Sequence, residues 1–264
     1  MNIFLRELKV YRKGLLFWCL GMVMLVASGM AKYASFKGNS QAVVELMSQF
    51  PKSVQAIFGL TGFDLTKASG YFGVLYVYIA LMVTVHAVLL GAGIVSKEER
   101  DKTSEFLFAK PISRFRVLSE KILAGLFNIL VLNLVTSLSS VYFIGYFASD
   151  ESFMSDVIIL MVGLLMLQLI FFFIGTAVAG FCKKPKLSGT IATSVLLLTF
   201  VMTFFINISE NLNWLSYFTP FKYFDAKDLM DSGFNLIYLV ISAILVIVSI
   251  FITYKFYYSR DLDV

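Results

Sequence analysis

Charge is scarce in this chain: Asp, Glu, Lys and Arg make up 15% of its 264 residues, where a soluble domain carries about a quarter. Hydrophobic residues make up 59%, more apolar surface than one water-soluble core can hide, so part of the solvent must be lipid. There are only two cysteines, Cys19 and Cys182, and both lie in or beside apolar runs. They form no CxxC and no His/Cys cluster, which excludes a disulfide framework of the small secreted kind and a Cys/His metal centre. No metal and no cofactor is expected in this chain. The phosphate loop GxxxxGK[ST] is missing, as is a Gly-rich turn between a strand and a helix, so ATP cannot be held in the usual P-loop manner. An intramembrane enzyme needs an ionised or nucleophilic constellation at its active depth, but the chain has no paired Asp, no GxSxG and no HExxH. A non-enzymatic role follows. The formal net charge of +5 falls between the apolar runs, where basic residues act as topology signals rather than as a nucleic-acid face.

What fills the sequence instead is long apolar stretches. Six of them, at about 14–34, 70–95, 120–147, 157–181, 188–208 and 233–256, are long enough for a ~30 Å hydrocarbon core, which takes about 20 helical residues. Strands are excluded, because an isolated strand in lipid leaves its backbone groups unpaired, and the ~10-residue alternation of a barrel is missing. The expected fold is an all-α membrane protein, one transmembrane domain over 1–264 with six transmembrane helices. With the N-terminus in the cytoplasm, 16 of the 22 Lys and Arg residues fall on inner segments. The positive-inside rule therefore puts both termini on the cytoplasmic side of a cell membrane. The first span is too long for a signal-peptide core and no convincing small-x-small cleavage site follows it, so it is read as retained.

Three segments between or before the spans carry patterns. In Met1 to Lys13, Ile3, Phe4, Leu8 and Tyr11 alternate with Arg6, Glu7, Lys9, Arg12 and Lys13, which suits an amphipathic helix in the inner interface or a basic flank that orients the first span. From Ala42 to Leu60, apolar residues at helical spacing on either side of Pro51 predict two short helices at the outer surface. The run Trp214, Tyr217, Phe218, Phe221, Tyr223, Phe224 reads as an aromatic belt at the outer interface or as a cap over an exit path.

The densest charge lies in Ser96 to Lys121, SKEERDKTSEFLFAKPISRFRVLSEK. Glu98 and Lys102 have the i,i+4 spacing of a helical ion pair. The apolar triplet Phe106, Leu107, Phe108 follows, Pro111 disfavours helix at Lys110, and Ser113 is placed to cap the next helix. A short helix with aromatic anchors beside charges suits docking into a groove on a partner protein; a loop needed only for topology would leave the triplet to be absorbed by lipid.

Within this stretch, EERDKTSEFLFAKPISR resembles the coupling-helix signature of the ABC type-2 exporter permeases: an acidic start, a Thr, a Glu, a Leu-rich triplet, a Pro, then Ser-Arg. Here these are Glu98, Thr103, Glu105, Leu107, Pro111, Ser113 and Arg114. The opening NIFLRELKVYRKGLLFW is similar to that family's elbow helix and first span. SYFTPFKYFDAKDLM resembles its outer-surface helix, and the ending YYSRDL its cytoplasmic tail with Arg260 and Asp261. The six-span subgroup that includes the copper-site maturation permease and many antibiotic-resistance permeases is the most similar. Lys102 and Ser104 depart from the common Gly and Leu, surface-type changes that bear on which ATPase docks.

The resemblance implies an ATP-driven exporter in which this chain pairs with a second permease chain, identical or homologous. Two copies of an ABC ATPase subunit would bind the ATP and Mg. It places the N-terminal elbow (Phe4, Arg6, Leu8, Tyr11, Arg12) and a cytoplasmic coupling helix between spans two and three (Glu98 to Ala109). In that helix Phe106, Leu107 and Phe108 dock, Glu98, Glu99, Arg100 and Glu105 form a charged rim, and Arg114 ties the following turn to the span. Polar residues inside the spans are few. His86, Asn133, Thr136, Ser137 and Gln168 are candidates for a translocation path, and helix–helix hydrogen bonding accounts for them equally well. Ala87 with Gly91 and Gly175 with Ala179 stand at i,i+4 and suit close helix packing. The competing class is an ion-coupled carrier or channel, or a membrane assembly protein. Carriers usually bury charge or break helices at the midplane, and these spans show neither.

Overall fold

The computed structural model describes residues 3–37, 50–51, 54–55, 63–101, 113–147, 153–182 and 184–259. Six long helices run alternately up and down through a bundle: α1 (Ile3–Lys37), α2 (Ala68–Arg100), α3 (Arg114–Phe147), α4 (Met154–Phe181) and α5 (Pro185–Ile208), with α8 (Leu236–Ser259) last. A 3₁₀ helix, Glu210–Phe218, and two short helices, α6 (Pro220–Tyr223) and α7 (Ala226–Ser232), lie between α5 and α8. All six long helices are long and apolar enough to cross a membrane. Only helices can do so singly, because the i to i−4 ladder satisfies every backbone group without water. Most of the expected outer helices between 42 and 60 lie outside the described residues.

The six helices are not equivalent. In the most apolar windows of α2, α3 and α4, 61%, 50% and 61% of residues are buried, against 22%, 22% and 17% in α1, α5 and α8. The first three form the core; the others leave broad apolar faces uncovered, such as Ile237, Val240, Ile244, Ile247 and Phe251 on α8. That spacing is one helical stripe, suited to lipid or to another apolar helix.

The closest pairing is α2 against α4. A Cβ added at Gly91 would stand 2.2 Å from the carbonyl oxygen of Phe172, and one at Gly175 would stand 2.4 Å from that of Val88. Two bare backbones therefore meet here, the arrangement that small residues allow where lipid gives helices no hydrophobic drive to associate.

Helix α1 differs from its expected form. The amphipathic N-terminal segment is helical, but it runs without interruption into the first span, making one 35-residue helix. No proline interrupts 3–37, and the sequence offers no signal to stop. At 1.5 Å per residue such a helix is about 52 Å long, well beyond a ~30 Å core, so one end must project from the hydrocarbon. The aromatic run also divides. Trp214, Tyr217 and Phe218 are exposed as a belt should be, whereas Phe221, Tyr223 and Phe224 are buried. Phe221 packs on Phe171 and Phe200, each at 5.1 Å, and Tyr223 stacks on Tyr238 at 5.0 Å. Pro220 starts α6 at this point and turns the second half of the run inward.

Candidate coupling site

Four helix termini from the charged segments meet at one end of the bundle: the starts of α1 and α3 and the ends of α2 and α8. The last turn of α2 carries Lys97, Glu98, Glu99 and Arg100. Glu98 does not stand on an exposed rim. It is 5% exposed and faces α3, where Lys121, fully buried, donates to its carboxylate. Lys121 also donates to the carbonyl of Ile94 at 2.9 Å, and Arg6 of α1 reaches Glu98 Oε1 at 3.3 Å. Burying either charge alone costs several kcal/mol, so the pair is tolerable only because each partner neutralises the other.

A second carboxylate joins this group. Glu7, fully buried, lies 3.6 Å from Arg6 and 3.5 Å from Lys97. Those separations are ion pairs, but neither of its oxygens has a hydrogen-bond partner among the described residues. Lys97 also stands 5.6 Å from the centre of the Tyr11 ring. Three cations and two carboxylates thus link α1, α2 and α3. A separate contact fixes the start of α1: Glu120 of α3 accepts from the backbone N–H groups of Ile3 and Phe4 at 3.0 and 3.3 Å and is held by Arg116 at 3.0 Å. A carboxylate here satisfies orphan donors and complements the positive end of the helix dipole.

The remaining expected site residues separate. Of the elbow, Phe4 packs edge-on against Phe127, Arg6, Leu8 and Tyr11 are partly buried, and Arg12 is exposed. Arg100 is exposed and pairs with Asp101, and Glu99 is partly buried. Ser113 caps α3, accepting from the N–H of Arg116 at 3.3 Å. Arg114 reaches the carbonyl of Tyr258 at 3.2 Å, tying α3 to the end of α8. Thr103, Glu105, Phe106, Leu107, Phe108 and Pro111 lie outside the described residues, as does Lys102.

The polar residues within the spans form two groups. Asn133 donates to the carbonyl of Met161 and to Gln168, at 3.3 and 3.2 Å, and so joins α3 to α4. Thr136 and Ser137 bond back to the carbonyls of Leu132 and Asn133. His86 stands apart from them, 5.3 Å from Trp18, in a cleft it shares with Tyr11 and Asn128. Sequence reasoning missed Glu7, Glu120 and Lys121. The available signal was Lys121 itself, a charge just inside a predicted span, which needs a partner at its own depth.

Helices α1, α2 and α3 are thus joined where the segment that resembles a coupling helix begins. The sequence pattern of the ABC-2 family transporter proteins matches residues 1–262. The chain belongs to this family. A search of curated proteins found no match. As an ABC-2 family member the chain is a multi-pass membrane permease component of an ABC transporter, a transport subunit whose ATPase is a separate partner protein. The ion-pair group of this ABC-2 permease lies where α2 leaves the bundle toward residues 102–112.

Proposed function

We propose that this permease is the membrane half of an ATP-driven exporter of the six-span, antibiotic-resistance and copper-site-maturation-like subgroup. Its ATPase docks on the segment after α2. The observation that carries the reading is the ion-pair group, which joins the end of α2 to α1 and α3. A push delivered at residues 102–112 therefore reaches three helices at once. Phe106, Leu107 and Phe108 anchor the ATPase, Glu99, Arg100 and Glu105 face its rim, and Thr103, Pro111 and Arg114 shape the return into α3. Two permease chains and two ATPase chains make the complex, and the ATPases bind the ATP and Mg. Closure of the ATPase pair shifts the permease between inward- and outward-facing states by its differential affinity for them. Both termini lie in the cytoplasm, as the distribution of Lys and Arg supports. The cargo is an amphipathic peptide, drug or lipid-like compound, in keeping with spans rich in Phe and Met whose few charges lie at their ends.

Replacing both Phe106 and Leu107 by Asp is expected to abolish co-purification of the ATPase while the permease still inserts, since a lost aromatic anchor costs about 2 kcal/mol or more at an interface. Intact association would remove the docking assignment. A cysteine placed at Lys110 is expected to react with an impermeant maleimide only from the cytoplasmic side.

A further inference from the structure

At the opposite end of the bundle, α2, α4 and α5 diverge beneath α6 and α7 and leave a cavity of about 260 Å³. Its walls are apolar and largely aromatic: Phe63, Ala80, Leu167, Phe200, Phe221 and Phe224. Ligand sites typically combine such walls with a few fixed polar groups, and this volume lies just below the usual range for drug-sized ligands. The polar groups here are sorted by depth. Tyr76 of α2 lines the cavity, is 2% exposed, and its hydroxyl has no hydrogen-bond partner among the described residues. A buried hydroxyl left unpaired is costly; its oxygen is covered in this state, and an acceptor atom that parts the wall at Tyr76 would satisfy it. At the mouth stand Asn207, Lys222, Asp225, Lys227 and Asp228. Lys222 already holds both carboxylates, Asp225 at 3.3 Å and Asp228 at 3.5 Å, and Asp225 also accepts the backbone N–H of Lys227. Among the described residues the ammonium of Lys227 makes no ion pair, so it is the cation at the mouth left for an incoming anion.

We propose that this cavity is a ligand-binding site for a small amphiphile with an apolar aromatic body, an inner hydrogen-bond acceptor that meets Tyr76, and an anionic head at Lys227. That the ligand is cargo rests on the exporter reading; that it binds does not. The site belongs to a single permease chain, and nothing in it requires the ATPase.

The test uses the whole chain in lipid nanodiscs without ATPase. The probe is benzophenone-4-carboxylate, whose ketone oxygen is both a hydrogen-bond acceptor and the photoreactive centre. Irradiation and peptide mapping are expected to show saturable labelling confined to 76–80, 200–207 and 221–228. Tyr76→Phe, which keeps the ring, is expected to weaken apparent affinity about five- to tenfold, the worth of one buried hydrogen bond. Asn207→Trp, at an exposed position in the mouth, is expected to reduce labelling at least tenfold without disturbing the core. The cationic analogue 4-(aminomethyl)benzophenone is expected to bind more weakly than the carboxylate, and tighter binding would overturn the assignment of the head group. Non-saturable labelling spread over lipid-facing positions such as Leu134 and Val248 and unchanged in Asn207→Trp would overturn the site. Saturable labelling by a probe that never stimulates the reconstituted ATPase would keep the site and remove its role in export. ATPase stimulation without saturable labelling here would do the reverse.

Discussion

The two ends of this bundle are held by different forces. At the end with Ile3 and Arg100, the helices are joined by buried charge: Lys121 with Glu98, Arg6 with Glu98 and Glu7, Lys97 with Glu7. At the other end the contacts are aromatic, with Phe221 between Phe171 and Phe200 and Tyr223 on Tyr238, around a cavity. Ion pairs between buried groups are directional and tolerate little displacement, because a partner that drifts leaves a charge in low dielectric. Aromatic faces slide past each other at small cost. The charged end is therefore suited to move as one piece, and the aromatic end to yield.

The sharpest way to break that contrast is to orphan a charge. Lys121→Met leaves Glu98 buried with, among the described residues, only the partly exposed Arg6 to answer it, and is expected to cost about 3–5 kcal/mol, read as a large fall in thermal unfolding temperature in detergent. Adding Glu98→Met to the same chain is expected to restore most of that loss, because a well-packed apolar pair often replaces a buried ion pair without penalty. If the double variant were as unstable as the single, the group would matter for its shape rather than its charge.

Between the two ends α2 and α4 pack backbone to backbone. Gly91→Ala places a methyl group 2.2 Å from the carbonyl oxygen of Phe172, and neither backbone can yield without parting the helices. Overpacking of this kind costs about 1–3 kcal/mol. The variant is expected to unfold at lower temperature and, in the complete transporter, to reduce transport more than ATP hydrolysis. Equal loss of both would place the coupling elsewhere. A smaller effect is expected from Glu120→Gln. The amide oxygen still accepts from Ile3 and Phe4, but the charge that complements the start of α1 is gone, worth roughly 0.3–1 kcal/mol. Hydrogen exchange at the first turn of α1 is the measurement, and unchanged protection would show that the charge of Glu120, as distinct from its hydrogen bonds, does not fix that helix end.

How far the sequence revealed this arrangement depended on the range of the interactions involved. The six spans were legible because an apolar run long enough to cross lipid is a local property. Ser113 was legible as a cap because its partner, Arg116, lies three residues away. Lys121 and Glu98 stand 23 residues apart, and Arg6 and Glu98 stand 92 apart; no local pattern joins them, and the charge density around Glu98 read instead as a surface for a partner. The aromatic run failed for the same reason. Trp214 and Phe221 look alike in sequence, and only the turn at Pro220 decides which faces lipid and which packs on Phe171 and Phe200.

The smallest predicted effect tests whether charge also matters at the aromatic end. Lys222 is partly buried, which opposes its ionisation, but Asp225 and Asp228 together outweigh that cost and raise its pKa above the ordinary lysine value. A raised folded pKa means that the proton is held more tightly in the folded chain. The associated stability is thus fully present below the unfolded pKa, near 10.4, and is lost as pH rises through the folded value. Wild type and Lys222→Met are expected to converge in thermal stability as pH climbs past about 10.5, with a gap below it of no more than ~1 kcal/mol, since Asp228 is well exposed and such pairs are screened. A gap as large as that of Lys121→Met would mean that both ends are locked by charge, and the cavity beneath α6 and α7 would then be a rigid cup rather than a yielding one.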